Sequence, residues 1–508
     1  MKTKCIGGPF HCRLALLFLA ATVLAVATPA VVSADAVPLK DAVADMEPQA
    51  VWRNFYDLTQ VPRPSHHEEQ VRAFLVQFGQ GLGLETIVDA AGNVLIRKPA
   101  AAGLEDRPGA ILQAHMDMVA QKSQDSDHDF LTDPIDAYVE GDWVVTDGTT
   151  LGADDGMGVA IAMAVLQSDT PALGPIEALF TVNEEDGMDG ALGLETGLLQ
   201  GSILINLDWE TEGTFTIGSA GGDYLNIAAT YSETAVPDGV TAYKVSVSGL
   251  LGGHSGMNIN LGRGHATKLL VRLLTTTADD YGVRVASLEG GTAANAIPTE
   301  ASAIVVVPES QAGAFLAYVD EFEAIVQAEL AAVEPDLVVQ AVPAELPTGV
   351  MDETSQDQLL AALYATPQGV IRMSDDVDDL VETSTNMGIV KIAEGQATVI
   401  CYPRSSVDSE LDDINQMVVS VWDLMDASVT ITSRFSGWKP NTASPILLLM
   451  EGVYEEMYGV TPGLMAVHAG LECGTIVAKY PGMDAISIGP TLLDVHTVNE
   501  TVEISTVQ

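Results

Sequence analysis

The chain is 508 residues long with 70 acidic against 22 basic side chains, and its formal charge of −48 excludes a general phosphate-binding surface and argues against nucleic acid as a partner. Hydrophobic residues make up 47% of it, ample for real cores, and its length exceeds what one core organises, so two or more domains are expected. An acid excess of this size with few lysines suits a surface kept hydrated in salty surroundings, although general solubility has the same signature.

Lys2, Lys4 and Arg13 accompany an apolar run from Leu14 to about Val32, which gives way to the small residues Ser33 and Ala34. That order is the order of an export signal, so segment 1–36 reads as a signal peptide cleaved after Ala34 or Ala36. The protein is then expected to be exported, periplasmic or secreted, with no integral membrane domain in the mature chain. Cys5 and Cys12 fall inside that segment, and the remaining Cys401 and Cys473 are too few for a disulfide framework.

Next, "MEPQAVWRNFYDLTQVPRPSHHEEQVRAFLVQFGQGLGL" reads as a helix, a proline-marked turn and a second amphipathic helix from near Ser65, with Glu68 at capping-box spacing. The runs "ETIVDAAGNVLIRK", "GAILQAHMDM", "IEALFTVNEE" and "SILINLDWE" then alternate with turns and helix-length segments such as "GVAIAMAVLQ". This is the pattern of an α/β layer on a mostly parallel central sheet. From about residue 212 glycine-bounded β segments and the helix-like "GRGHATKLLVRLLTTTADDYG" suggest a second, α+β domain that continues to about Trp438. "SPILLLMEGVYEEMYG" and "DAISIGPTLLDVHTVNE" look like a return to the first layer. The expected division is therefore 37–211 and 439–508 for one domain, with 212–438 inserted as a lid at a surface loop. The acidic "SDDVDDLVE" at 374–382 reads as solvated surface.

Carboxylates and histidines collect at the ends of the apolar runs. In "AHMDMV" a period of two sends His115 and Asp117 to one face, so the imidazole could bind a metal while Asp117 fixes its tautomer. In "LGADDGMGVA" Asp154 and Asp155 stand between glycines before a helix-like run. One carboxylate can bridge two cations about 3.5 to 4 Å apart, although a helix cap would explain an aspartate there as well. "FTVNEEDG" supplies Glu184 and Glu185, of which one could face a metal and the other a water. "INLDWE" adds Asp208 and "LLDVHTVNE" adds His496. Together these residues form a donor inventory for two hard or borderline cations along the carboxyl edge of an open sheet.

Taken in order, "AHMDMV", "DGTTLGADDGMGVA", "TVNEEDGMDGA", "NLDWE", "GGHSGMNI", "GGTAANAIP", "CYPRSS", "HAGLECG" and "DVHTVNE" resemble the M20 family of dinuclear metallopeptidases, most closely its cytosol non-specific, or aminoacyl-histidine, dipeptidase branch. The resemblance implies that His115, Asp154 and Asp208 hold one metal and that Asp154, Glu185 and His496 hold the other. It implies Asp117 as the support of His115 and Glu184 as general base and acid; spacing alone does not choose between Asp154 and Asp155, or between Glu184 and Glu185. Asp155 stands where that branch often carries asparagine.

In the inserted segment, His254 of "GLLGGHSG" would steady a developing oxyanion after domain closure. Asn295 would contact the same carbonyl or orient the backbone, and Arg404 would pair with a peptide's C-terminal carboxylate. "HAGLECG" offers His468, backbone donors around Gly470, and Glu472 for a free amino terminus. The implied reaction is hydrolysis of unblocked dipeptides, Xaa-His or β-alanyl-histidine among them, by two divalent ions: zinc first, with manganese or cobalt able to share such ligands. Alternatives are an N-acyl amino acid amidohydrolase on the same metal pair and a non-catalytic metal or peptide binder. A homodimer is a further implication of the family.

Overall fold

The computed structural model describes residues 36–507. The apolar runs of the first 220 residues and of the last 60 or so pair into one eight-stranded sheet, in the order Glu85–Val88, Val94–Lys98, Ile176–Thr181, Ala110–His115, Ile203–Asn206, Asp484–Ser487, Thr214–Ser219 and Gly463–Val467. Ala110–His115 runs parallel to both Ile176–Thr181 and Ile203–Asn206, and Asp484–Ser487 runs parallel to Ile203–Asn206. Strands enclosed on both faces have no polar face to show, which is why Ile176–Thr181 is buried at every position. Three of these adjacent parallel strands finish just before Asp117, Glu184 and Asp208, so the residues that follow them share one edge of the sheet.

Elsewhere the sheet changes direction. Val94–Lys98 is antiparallel to both neighbours, and Thr214–Ser219 meets Asp484–Ser487 at one antiparallel position. The architecture is thus mixed α/β with several sheets. Helix Ala153–Gln167, apolar on every side, is buried along most of its length, and Asn54 of helix Gln49–Thr59 donates to the carbonyl of Ala160 at 3.2 Å.

The helix anticipated near Ser65 begins later, at Glu69–Gly81. Ser65 does not cap it, because its hydroxyl donates to Asp117 at 2.8 Å, while Glu68 turns back to accept from the His66 amide at 2.9 Å. A five-stranded sheet that periodicity did not reveal joins Val37–Pro38, Ala137–Glu140, Trp143–Thr146, Thr501–Glu503 and Leu492–Leu493. Its last two strands pair antiparallel and close the loop that carries His496.

Between Gly221 and Phe435 the chain builds a second, wholly antiparallel nine-stranded sheet with its own core, in which Val245, Val305, Phe315 and Trp422 are fully buried. Cys401 belongs to that core and Cys473 to another cluster; both are free and buried. No helix among the described residues is long and apolar enough to cross a membrane.

Phe180 is fully buried in the core beneath the site-bearing edge. Phe180→Ala is expected to cost about 3–5 kcal/mol, read as a lower urea midpoint of unfolding.

Candidate active site

Asp154 lies between two imidazoles. Its Oδ1 is 3.1 Å from His115 Nε2 and its Oδ2 is 3.0 Å from His496 Nε2. Asp208 Oδ1 stands 3.5 Å from His115 Nε2, and Glu185 Oε2 stands 2.9 Å from His496 Nε2. The ends of separate strands, a turn and the C-terminal loop thus bring His115, Asp154, Glu185, Asp208 and His496 together.

The backbone separates the two adjacent aspartates, which are joined by a cis peptide bond. Asp155 accepts from the amides of His115 at 3.2 Å and Gly158 at 3.0 Å, so it pins a strand end and caps the following helix. Asp154 receives no such donor on its carboxylate and stays free for the imidazoles. A similar division separates Asp117 from the glutamates. Asp117 lies 3.4 Å from His115 Nδ1 and accepts from Ser65 Oγ at 2.8 Å and from the amides of Glu184 at 3.1 Å and Glu185 at 3.4 Å. It therefore holds the turn that bears the glutamates and stands beside the imidazole, whose Nδ1 has no other partner among the described residues.

The electrostatics fit a pair of cations. Burial opposes a proton on His115, but Asp208, Asp117 and Asp154 outweigh it and draw its pKa well above the ordinary value. Hydrogen bonds to Asp154 and Glu185 draw His496 up to about 11. Burial, with neighbouring carboxylates adding to it, pushes Asp155, Glu184 and Asp208 well above the usual carboxylate range. A proton on either Nε2 points along a single line, whereas each Nε2 faces two carboxylates. A divalent cation accepts all of these donors at once, and Glu185 Oε1 is buried with no hydrogen-bond partner to compete for it. Ligand atoms of His115, Asp154 and Glu185, and likewise those of His115, Asp155 and Asp208, lie within 4.8 Å of one another.

The residues expected to contact substrate form a second cluster. His254 Nδ1 accepts from the amides of Gly256 at 3.2 Å and Met257 at 3.1 Å, and its Nε2 lies 3.3 Å from Arg404 Nη2, a group that can only donate. Burial and then Arg404 push the His254 pKa down to about 4. Arg404 is 3% exposed, its guanidinium lies 4.1 Å from the centre of the Tyr402 ring, and its Nε has no partner. Among the described residues no hydrogen bond or ion pair joins His254 or Arg404 to the five converging ligands. Asn295 is tied to this loop by its carbonyl, which accepts from the Ser255 amide at 2.8 Å, while its side chain is exposed. Gly470 is pressed against Met188 and Phe435, where an added Cβ would come within 2.6 Å of the Met188 methyl.

Glu472 is placed differently from its expected role at a substrate's amino terminus. It is 0% exposed and turned into the sheet, where it accepts from Gln113 Nε2 and Thr181 Oγ1, both at 2.6 Å, and burial pushes its pKa up to about 7. Two other residues at the site carried no sequence signal as chemistry. Arg63, buried, donates to the carbonyls of Asp117 at 2.7 Å, Met116 at 3.1 Å and Gly152. Glu500, also buried, accepts from the turn that bears Asp154. A scarce arginine beside two prolines in "VPRPS" and an acid just past His496 were the only hints available.

Residues 111–508 match the model of peptidase family M20/M25/M40. The chain is 41% identical over 465 residues to the cytosol non-specific dipeptidase of Escherichia coli (strain K12), covering 92% of this chain and 96% of that protein. Its structure is similar to that of the aminoacylhistidine dipeptidase from Vibrio alginolyticus, with a TM-score of 0.87 and 40% identity over 92% of this chain and 95% of that one. An aminopeptidase PepT from Bacillus cereus, 15% identical with a TM-score of 0.52 over 91% of this chain and 95% of that one, shares the fold. The expected periplasmic or secreted location is corrected by these relatives, since the Escherichia coli protein is by name a cytosol enzyme. The apolar run that suggested export lies outside the described residues.

His468, 5% exposed, contacts Ser384 Oγ at 2.7 Å, and burial, Arg404 and His254 push its pKa down to about 3. The unfolded chain takes up a proton below about pH 6.5 while the folded chain refuses it until about pH 3, so this stability is complete above the first value and lost as pH falls toward the second. Buried carboxylates with raised pKa, Glu472 among them, act in the opposite sense over the same range, so the His468 contribution is read as a difference between two proteins. The urea midpoint of His468→Asn relative to that of the parent is expected to rise as pH falls from 6.5 to 4, because only the parent loses this contribution.

Proposed function

The chain belongs to peptidase family M20/M25/M40, enzymes that hydrolyse peptide bonds, and from that premise we propose that it cleaves unblocked dipeptides, Xaa-His and β-alanyl-histidine among them, with two divalent cations. The observation that carries this reading is the Asp154 carboxylate, with one oxygen directed at each imidazole. His115, Asp154 and Asp208 would hold one ion, and Asp154, Glu185 and His496 the other. Zinc suits this mixture of imidazole and carboxylate, and manganese or cobalt can share it. When bound, the ions supply Lewis acidity that acidifies a water and polarises a carbonyl.

The chain's own residues do the rest. Glu184, with no hydrogen bond tying its carboxylate down among the described residues and a pKa raised by burial, takes the proton of the attacking water and passes it to the departing amine. Asp117 keeps His115 in the tautomer whose Nε2 faces the ions. His254, with Nδ1 occupied by two backbone amides, would turn Nε2–H to the oxyanion once Arg404 leaves it for the substrate's carboxylate, and Asn295 lies on the adjoining loop. Arg404 holds the substrate's terminal carboxylate, since among the described residues no carboxylate pairs with it. Residues 212–438 act as a lid in this scheme, bringing His254 and Arg404 over the sheet edge formed by 37–211 and 439–508.

Two measurements test this reading. Glu184→Gln should still bind divalent metal but lose about 10²–10⁴-fold in kcat on a dipeptide; an unchanged rate removes Glu184 from proton transfer, and a protein that binds no divalent metal sinks the whole scheme. Arg404→Met should raise KM for free dipeptides far more than for their C-terminal amides. Faster cleavage of N-acyl amino acids than of free dipeptides by the parent enzyme would instead favour amidohydrolase activity.

A further inference from the structure

For two cations to share it, Asp154 must hold one oxygen toward His115 and the other toward His496, yet its turn has no regular structure of its own. Gly152 is left-handed at φ 70°, and Asp154 and Asp155 both lie outside helical φ/ψ. Four consecutive amides of this turn point to one side, and a single buried carboxylate takes all of them. Glu500 Oε2 accepts from Leu151 at 2.9 Å and Gly152 at 3.0 Å, and Oε1 accepts from Ala153 at 2.7 Å and Asp154 at 3.1 Å. Bonds from amides to an ionised acceptor are roughly twice as strong as neutral ones, and a row of converging amides is an anion cradle.

The position of Glu500 in the chain gives this cradle a second meaning. The loop that begins after Leu492–Leu493 and ends at Thr501–Glu503 carries His496 near its start and Glu500 at its end, and the two flanking strands are paired. Glu500 therefore fastens the loop of one ligand to the turn of another, far away in sequence. Arg63 performs the corresponding service on the opposite side, joining the Gly152 carbonyl to those of Met116 and Asp117.

We propose that Glu500 is a positioning residue that sets the separation of Asp154 and His496, so that the cation site on the His496 side is built by folding before any ion arrives. The proposal rests on the two-cation reading of the site and adds to it an ordered asymmetry. The half of the site at His115 and Asp208 hangs on sheet strands. The half at His496 and Glu185 hangs on a loop and depends on this carboxylate.

The test is calorimetric titration of Mn²⁺ into the metal-free full chain and its Glu500→Gln variant, with metal-free melting temperatures and hydrogen exchange measured on both. Glutamine keeps one acceptor oxygen and sets an NH₂ against amides that are themselves donors. The variant is expected to retain one tight ion, to bind the second about 10- to 100-fold more weakly, and to lose kcat with little change in KM. Exchange at residues 151–154 should accelerate while Ile176–Thr181 stays protected. Two ions bound as tightly as in the parent, or both weakened equally alongside a lower melting temperature, overturn the proposal. Should the variant fail to fold, the metal-free parent decides the matter: amides 151–154 must exchange as slowly as those of the central strands, and fast exchange there refutes the clamp. A parent that binds no Mn²⁺ defeats the two-cation reading itself, and with it any role for Glu500 toward ions.

Discussion

Burying negative charge is the constraint around which this molecule is arranged. Asp117, Asp154, Asp155, Glu184, Glu185 and Asp208 crowd around two imidazoles at one sheet edge, and each ionised carboxylate withdrawn from water costs several kcal/mol unless something replaces its hydration. Backbone amides perform that replacement for some of them and not for others. Asp117 receives the amides of Glu184 and Glu185, Asp155 those of His115 and Gly158, and Glu500 those of the turn bearing Asp154. Asp154, Glu184, Glu185 and Asp208 receive no backbone donor on their carboxylates among the described residues. Hydrogen-bond accounting thus sorts acids of identical chemistry into those that hold the site together and those left available to ions and water.

Beneath the edge a second layer fixes the heights of the strands. Gln113 lies two residues before His115, and Asn206 two before Asp208. Asn206 Nδ2 donates to Gln113 Oε1 at 2.6 Å, and Gln113 Nε2 in turn donates to Glu472 at 2.6 Å. Ser487 reaches the same Asn206 from the next strand over. Polar side chains inside a sheet are expensive unless paired, and in this group Glu472 Oε1 alone is left without a partner among the described residues. Here they bind neighbouring parallel strands laterally, so that ligands two positions further on arrive in register. Glu472 does its work in this floor, which explains why it has no exposure to the cleft.

Much of the site was legible because strand ends leave a periodic trace. Apolar runs ending in His-x-Asp, Glu-Glu and Asp say where carboxylates and imidazoles emerge, and parallel neighbours deliver them to one edge. The choice within a doublet was not legible, since Asp154 and Asp155 differ only in which of them the turn aims at backbone amides. The direction of the outer strands was equally hidden: a run such as "NVLIRK" pairs as well antiparallel as parallel, and the sheet proved mixed. Glu500 looks like an ordinary acid in sequence, and only burial distinguishes it from the many acidic side chains around it, whereas Glu472 stood out by its motif without revealing that it faces the sheet. Ser65 likewise satisfied a capping pattern, yet its hydroxyl is engaged by Asp117.

One cation stands apart from all of this. In a chain with 70 acids and 22 bases, a guanidinium that is 3% exposed has every opportunity to find a carboxylate, and Arg404 has none within ion-pair distance among the described residues. Its surroundings are an aromatic face, the neutral His254, and His468, which burial also keeps neutral. Ser384, its partner across the strand pair, spends its hydroxyl on His468 instead of offering an acceptor to the arginine. A buried positive charge so placed leaves an electrostatic deficit that an anionic group on a ligand would cancel. On the proposed reading the cancelling group is the free carboxylate of a short peptide. The acid-rich surface that repels such an anion at long range then makes the buried arginine the place where its attraction is concentrated, because low dielectric strengthens at contact what salt screens at a distance.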